Sequence, residues 1–300
     1  MSNLEGIQFY GDPTLEDIIL HNIISFISYG LLEVGGYYSI SLGQQNYLGQ
    51  DESQLYPVSG QGITPYTIYK DRKNDWVWEQ GIALKFSGGT QPIVPTGITI
   101  NGVSTSTGYY IDYNKGQVVF NSPRSSSDII KVPHTLRAIS VYPAEENDYR
   151  FLSADWAKTS TTGVENLTYK AYLPCMSINI TDFQTVRGKE LGSRGKVTKC
   201  NLQFDMYATN SYELRKMTNF IYFMETKCVT FFDYKNAPKP LNYRGEIINS
   251  GSIWSNLIQN FPLGEGRFQE NCIITKIINN DLPYLRARAR ISIEFDTYPC

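Results

Sequence analysis

The stretch LRARARISIEF, residues 285–295, decides the fold. Leu285, Ala287, Ala289, Ile291, Ile293 and Phe295 fall on one face of an extended chain, and Arg286, Arg288, Arg290, Ser292 and Glu294 on the other. Alternation with period two predicts a strand whose apolar face lies on a core. Residues 200–208, CNLQFDMYA, repeat the pattern. There Cys200, Leu202, Phe204, Met206 and Ala208 alternate with Asn201, Gln203, Asp205 and Tyr207. Strands with one apolar face need a second layer to cover it.

Two segments can supply that layer. Asp12 reads as the N-cap of a first helix, with Pro13 at its first position and Glu16 and Asp17 at the positive end of its dipole. Leu15, Ile18, Ile19, Ile23, Phe26, Ile27 and Leu31 make its apolar stripe, and Gly35-Gly36 ends it. Asn210 reads as the N-cap of a second helix, with Glu213 at the capping-box position and Leu214, Met217, Ile221 and Met224 as the buried stripe. Further strands are predicted at 168–172, 176–183, 228–234, 243–249 and 272–278.

Between the first helix and these strands, residues 37–150 carry many Gly, Ser and Pro and no helical pattern. Strands are predicted there at 81–86, 98–103, 109–113 and 117–120, with a strand pair or one broken strand over 129–142. Gly116 is expected to take the left-handed position of the 114–116 turn. The fold class that follows is α+β: an antiparallel or mixed sheet with two packed helices, built from 1–36 and 151–300, plus an inserted all-β module, 37–150.

Composition bounds the function. The 300 residues include 22 Tyr but 2 His and 5 Cys, and 19% are charged. Tyr with Asn and Ser suits contact surfaces, although an AT-biased genome gives the same enrichment. The five cysteines form no CxxC pair, which fits a reducing compartment. No signal peptide is expected. The apolar run 18–32 reads as too short and interrupted to span a bilayer, so no membrane partner is expected. Seven of the 29 acids and none of the 27 bases lie in residues 1–69, leaving 22 acids against 27 bases in 70–300. A chain acidic at one end and mildly basic at the other can bind its own copies head to tail, or can simply carry a solvated acidic face.

No Walker loop, HExxH, GxSxG or strand-linked GxGxxG is present. His21 and His134 read as structural. Asp112 and the acidic group Glu145, Glu146 and Asp148 could serve carboxylate chemistry, but no spacing demands it. The expectation is a non-enzyme with no metal and no cofactor.

Two basic features stand out. Arg187, Lys189, Arg194, Lys196 and Lys199 crowd a glycine-rich loop, and Arg286, Arg288 and Arg290 stand about 6.8 Å apart along one strand face. Like charges so placed need acids, phosphates or water opposite. They can meet Asp12, Glu16 and Asp17 of a neighbouring subunit, follow a nucleic-acid backbone without reading sequence, or remain solvated. Trp76 and Trp78 alternate on one strand face. They could stack on a sugar or pack in a core.

Residues 98–103, ITINGV, followed by 108–120, GYYIDYNKGQVVF, resemble a β module recurring in structural proteins of tailed-phage virions, in which an NG turn precedes a hairpin of this form. The order of N-terminal helix, strands, KCNLQFDMYATNSYELRKMTNFIYFM (199–224) and a final long strand is similar to phage neck and tail-terminator proteins. The resemblance implies a protomer of a ring, usually sixfold, that caps the tail tube and docks it to the head connector. Its partners would be its own copies and the neighbouring tube, sheath and connector proteins, with DNA passage possible. It would be assembled in the host bacterial cytoplasm and would carry no catalytic residues. A tail-tube or baseplate subunit would show similar local patterns, and a carbohydrate-binding β module of a host-recognition apparatus is the alternative from another class.

Overall fold

The computed structural model describes residues 13–60, 62–143, 172–187, 196–277 and 284–297. Its centre is a seven-stranded mixed sheet, and the fold is α+β. The order is β10 (Ser140–Pro143), β11 (Cys175–Arg187), β12 (Lys196–Ala208), β16 (Leu285–Thr297), β14 (Pro262–Phe268) and β13 (Cys228–Phe232). Strand β10 runs parallel to β11, and the other pairings are antiparallel. The last strand, β15 (Ile273–Ile277), shares the edge of β16 with β14. β14 pairs residues 293–297 of β16 and β15 pairs 286–290. The gap between them is bridged at Ser292, whose N–H donates to Asn271 Oδ1 at 2.9 Å and whose carbonyl accepts from Gln269 N at 2.9 Å.

The alternating residues of β12 and β16, apart from the exposed Leu285, point their apolar sets into one core with Met176, Ile178 and Ile180 of β11. Helix α1 (Leu15–Glu33) covers it through Ile19, Ile23, Ile27 and Leu31, and α2 (Ser211–Tyr222) through Leu214, Met217 and Ile221. Fully burying one such side chain is worth roughly 1.5–3 kcal/mol, so these stripes anchor both helices to the sheet. Nineteen residues at a mean hydropathy of 1.3 give α1 the length and composition of a membrane span, contrary to the sequence expectation; its apolar stripe lies instead on the sheet.

Helix α1 starts two residues later than Asp12 and Pro13 suggest. Thr14 is the N-cap, its hydroxyl accepting from Asp17 N at 3.1 Å while Asp17 Oδ2 accepts from Thr14 N at 2.9 Å. This reciprocal box satisfies two backbone donors, which Asp12 followed by Pro13 would not do. Asp12 itself lies outside the described residues. Asn210 caps α2 by accepting from Tyr212 N and Glu213 N, but Glu213 accepts the Thr209 hydroxyl at 2.9 Å rather than closing a box. A short helix unread from the sequence, α3 (Trp254–Asn260), packs by α1, β13 and β14.

The second sheet forms wholly within residues 37–150, in the order β5 (Val103–Thr105), β4 (Ile98–Ile100), β8 (Ile130–Lys131), β2 (Gln54–Pro57), β3 (Ile68–Lys70), β7 (Gln117–Phe120) and β6 (Tyr109–Asp112). Its core gathers Trp76, Tyr69, Val118, Phe120, Ile98 and Ile130. Gly116 takes φ +58° in the β6–β7 turn, as expected. Asn101-Gly102, however, turns within 98–103: φ values of +51° and +83° fold β4 back on β5. Segments 81–86 and 243–249 form no strand, and the predicted strand at 168–172 falls almost entirely outside the described residues.

Residues 129–142 split into three strands that serve three sheets. β8 stays in the module, and β9 (His134–Arg137) pairs β1 (Tyr37–Ile40). β10 joins the central sheet, although it lies within the 37–150 range. Tyr29 and Leu32 of α1 meet Val77, Ile82 and Ile253 in a small apolar cluster beside this crossing.

Candidate functional site

The strand register brings the arginines of β16 against β12. Arg288 stands opposite Asp205, Arg290 opposite Gln203 and Arg286 opposite Tyr207. Arg288 Nε donates to Asp205 Oδ1 at 3.0 Å and Nη2 to Oδ2 at 3.2 Å. Arg286 Nη2 reaches the same Oδ1 at 3.0 Å. Gln203 Nε2 donates to Asp205 Oδ2 at 3.0 Å, and Gln203 Oε1 accepts from Arg290 Nε at 3.3 Å. One carboxylate therefore serves two guanidiniums, and a neutral amide serves the third. The Arg286 guanidinium also lies 5.3 Å from the Tyr207 ring centre, and that ring meets Tyr284 edge-on at 5.7 Å.

Asp205 is 3% exposed while the Arg286 and Arg288 side chains keep 21% and 16%, so the acid is buried beneath the bases. Desolvation offsets much of the attraction in such a pair, but losing one partner leaves the other's charge buried without compensation. Arg290 is exposed, and Ile273, its neighbour on β15, is 67% exposed. The outer face thus ends in a guanidinium beside an aliphatic side chain.

The acidic group lies on the opposite side of the sheet, because α1 covers the apolar face. Glu16 and Asp17 occupy its first turn and are exposed. The two hydrogen bonds from Thr14 hold the Asp17 carboxyl below its ordinary range. Arg187 ends β11 in register with Lys196 at the start of β12. Lys189 and Arg194 lie outside the described residues, as do Glu145, Glu146 and Asp148.

Asp205 and Gln203 were visible on the polar face of their strand. Nothing local pairs them with the arginines, since β12 and β16 lie far apart in the chain and no turn fixes their register.

The remaining sequence candidates resolve as follows. Asp112 is buried and receives Lys115 N at 3.1 Å and Gln117 Nε2 at 3.3 Å, and burial raises its carboxyl. His21 Nδ1 contacts the carbonyl of Asp17 at 2.8 Å, and the ring lies on Tyr234. His134 contacts Val132 O through Nδ1 and Asp71 Oδ2 through Nε2, at 2.9 and 3.1 Å. Trp76 and Trp78 do not share an exposed strand face. Trp76 is wholly buried and stacked on His134 at 4.4 Å, while Trp78 borders a cavity beside α1. Among the described residues, no three His, Cys, Asp or Glu side chains converge as metal ligands.

No protein-family model matches this chain, and no curated protein matches it.

Proposed function

We propose that this chain is a non-enzymatic structural subunit of a phage neck or tail, which assembles into a ring, sixfold in the family it resembles, between tail tube and head connector. The observation that carries the reading is the placement of charge. The arginine face and the acidic turn of α1 lie on opposite sides of one sheet. A surface that complements its own opposite side binds head to tail, and a head-to-tail contact closes a ring when the rotation allows. A two-fold dimer would instead set like charge on like charge.

Arg290 with Ile273 offers the exposed part of this contact, and Glu16 is the acid best placed to receive it. Electrostatic complementarity of this kind sets orientation and association rate and weakens with salt. The β11–β12 hairpin end, where the register sets residue 187 opposite 196, carries the second basic cluster of the sequence, the one suited to a neighbouring virion protein or to passing DNA.

Light scattering of the purified chain across a salt series tests the reading. A closed oligomer at low salt that loosens as salt rises is expected, with Arg290→Glu dissociating it while leaving the unfolding midpoint unchanged. A monomer at every concentration and salt overturns self-assembly as the function of this face.

A further inference from the structure

Between α1, the 232–257 segment and the 75–79 segment of the module lies a cavity of about 560 Å³. Tyr29, Trp78 and Trp254 give it aromatic walls, and Glu79, Arg137 and Ser252 give it polar ones. That volume lies within the roughly 300–1,000 Å³ of small-molecule sites. Neither the arginine face of β16 nor the acidic turn of α1 contributes to it.

Three polar side-chain atoms of its lining residues are buried without a hydrogen-bond partner: Arg137 Nη1, Trp254 Nε1 and Ser252 Oγ. The Arg137 side chain is 7% exposed and Ser252 is 2% exposed. Buried polar groups are almost always paired, and each one left unpaired is costly. Three at one cavity are a set of donors in search of acceptors. An N–H of the guanidinium and the indole N–H can only donate, and the hydroxyl can donate or accept.

The charge around them narrows the chemistry. Arg137 Nη2 donates to both oxygens of Glu79, at 2.5 and 2.7 Å, and Nε faces Asp75 Oδ1 at 3.3 Å. The guanidinium is already matched by two carboxyl groups, so the site lacks acceptor atoms rather than negative charge. Burial raises the Asp75 carboxyl, which favours its neutral form and a further donor. An anion would meet the Glu79 carboxylate unfavourably, and Lys239, the lysine on this wall, already donates to Tyr234 O at 2.8 Å. A ligand rich in hydroxyl and ether oxygens would accept from Arg137 and Trp254, donate to Glu79 and set its C–H faces on the aromatic walls.

The geometry points to a binding site for a neutral saccharide unit in this cavity, formed by Arg137, Ser252, Trp254 and Glu79 between Trp78 and Tyr29. This goes beyond the assembly reading and does not depend on it. A subunit with such a site could hold a glycan residue whether or not it forms a ring.

Isothermal titration of the full chain with glucose, galactose, N-acetylglucosamine, maltose and lactose tests the site. At least one sugar is expected to bind saturably. Ser252→Ala and Trp254→Phe remove one donor each while keeping most of the side-chain volume, and each should weaken that binding about three- to tenfold, the effect of one lost hydrogen bond. Unchanged melting temperatures for both variants would confirm that the loss is not unfolding. The site is refuted if no sugar saturates, if both variants bind as the parent does, or if citrate binds where the neutral sugars do not.

Discussion

Asn22 and Phe232 are joined by two hydrogen bonds that make a helix side chain act as a strand. Asn22 Nδ2 donates to Phe232 O at 3.0 Å, and Phe232 N donates to Asn22 Oδ1 at 2.8 Å. Asn22 is wholly buried in the apolar face of α1, and Phe232 ends the outermost strand of the central sheet at a break in its pairing with β14. The amide thus satisfies a sheet edge that would otherwise be buried unpaired, and it fixes α1 along the sheet.

Replacing Asn22 by Leu should therefore destabilise the protein despite its better match to the surrounding stripe. Two backbone groups of Phe232 would be left in an apolar interior, at about 1–3 kcal/mol each. Asn22→Asp keeps the acceptor and loses the donor, so it should destabilise too, through a charge placed against the Phe232 carbonyl. Urea unfolding followed by circular dichroism checks both. A Leu variant as stable as the parent would mean that the bonds contribute nothing net.

Asn22 also marks where sequence reading stops. Its periodicity places α1 on the core, but its polar atoms look like a flaw in the stripe until β13 is known to end against it. The long strands β12 and β16 were legible because alternation is a local property. Strand β14 was not, because Pro262, Gly264 and Gly266 leave it without an alternating apolar set. Gly266 is there for space: a Cβ on it would lie 2.9 Å from Ile293 Cδ1 and 3.0 Å from Phe231 Cζ, next to the stacked Phe231 and Phe295 rings, 4.5 Å apart. The arginines of the candidate interface were read from their spacing, whereas Asp205 beneath them needed a register set by pairing over long sequence separation. The cavity donors Ser252 and Trp254 carried no signal, since both sit in a loop and short helix unmarked by pattern.

Asp205→Asn should cost about 2–4 kcal/mol, because it leaves Arg286 and Arg288 facing each other over a buried amide. Arg290→Gln, by contrast, should change stability by less than about 0.5 kcal/mol, as an exposed charge bonded to a neutral amide. Paired urea titrations distinguish the two. Equal losses would show that the three arginines act as one network rather than as a pair and an exposed neighbour.

Gly245→Ala should loosen the contact between the 242–246 turn and the β6–β7 hairpin. Gly245 has φ +79°, and an added Cβ would lie 2.2 Å from Asp112 Oδ1, while its carbonyl accepts from Tyr113 N at 3.1 Å. Left-handed strain and the clash together predict a loss of about 2–4 kcal/mol. Gly251→Ala is the control, since its nearest neighbour is Asn249 Oδ1 at 3.5 Å and it should be near neutral. Thermal melts of the two variants read the difference, and a Gly245 variant that melts with the control would show that the turn yields.

The thiols should react in an order set by burial. Cys228 is exposed at the start of β13, Cys272 is half-buried, and Cys175 and Cys200 lie inside the core. Burial pushes the Cys200 thiol up to about 12 and Cys272 to about 11, so neither offers much thiolate at neutral pH. In a Cys300→Ser background, iodoacetamide should modify Cys228 first and Cys272 slowly, and should reach Cys175 and Cys200 only on unfolding; peptide mapping gives the order. The same burial has a pH consequence. In the unfolded chain a thiol ionises near its ordinary value of 9, whereas folded Cys200 stays protonated up to about 12. Its contribution to stability is complete below pH 9 and is lost as pH rises through that window. Replacing Cys200 by Ala would remove this alkaline loss while opening a small cavity. The variant should therefore be less stable than the parent at pH 7 and lose less of its stability between pH 9 and 11. Parallel slopes for the two proteins would place the alkaline sensitivity on the tyrosines instead.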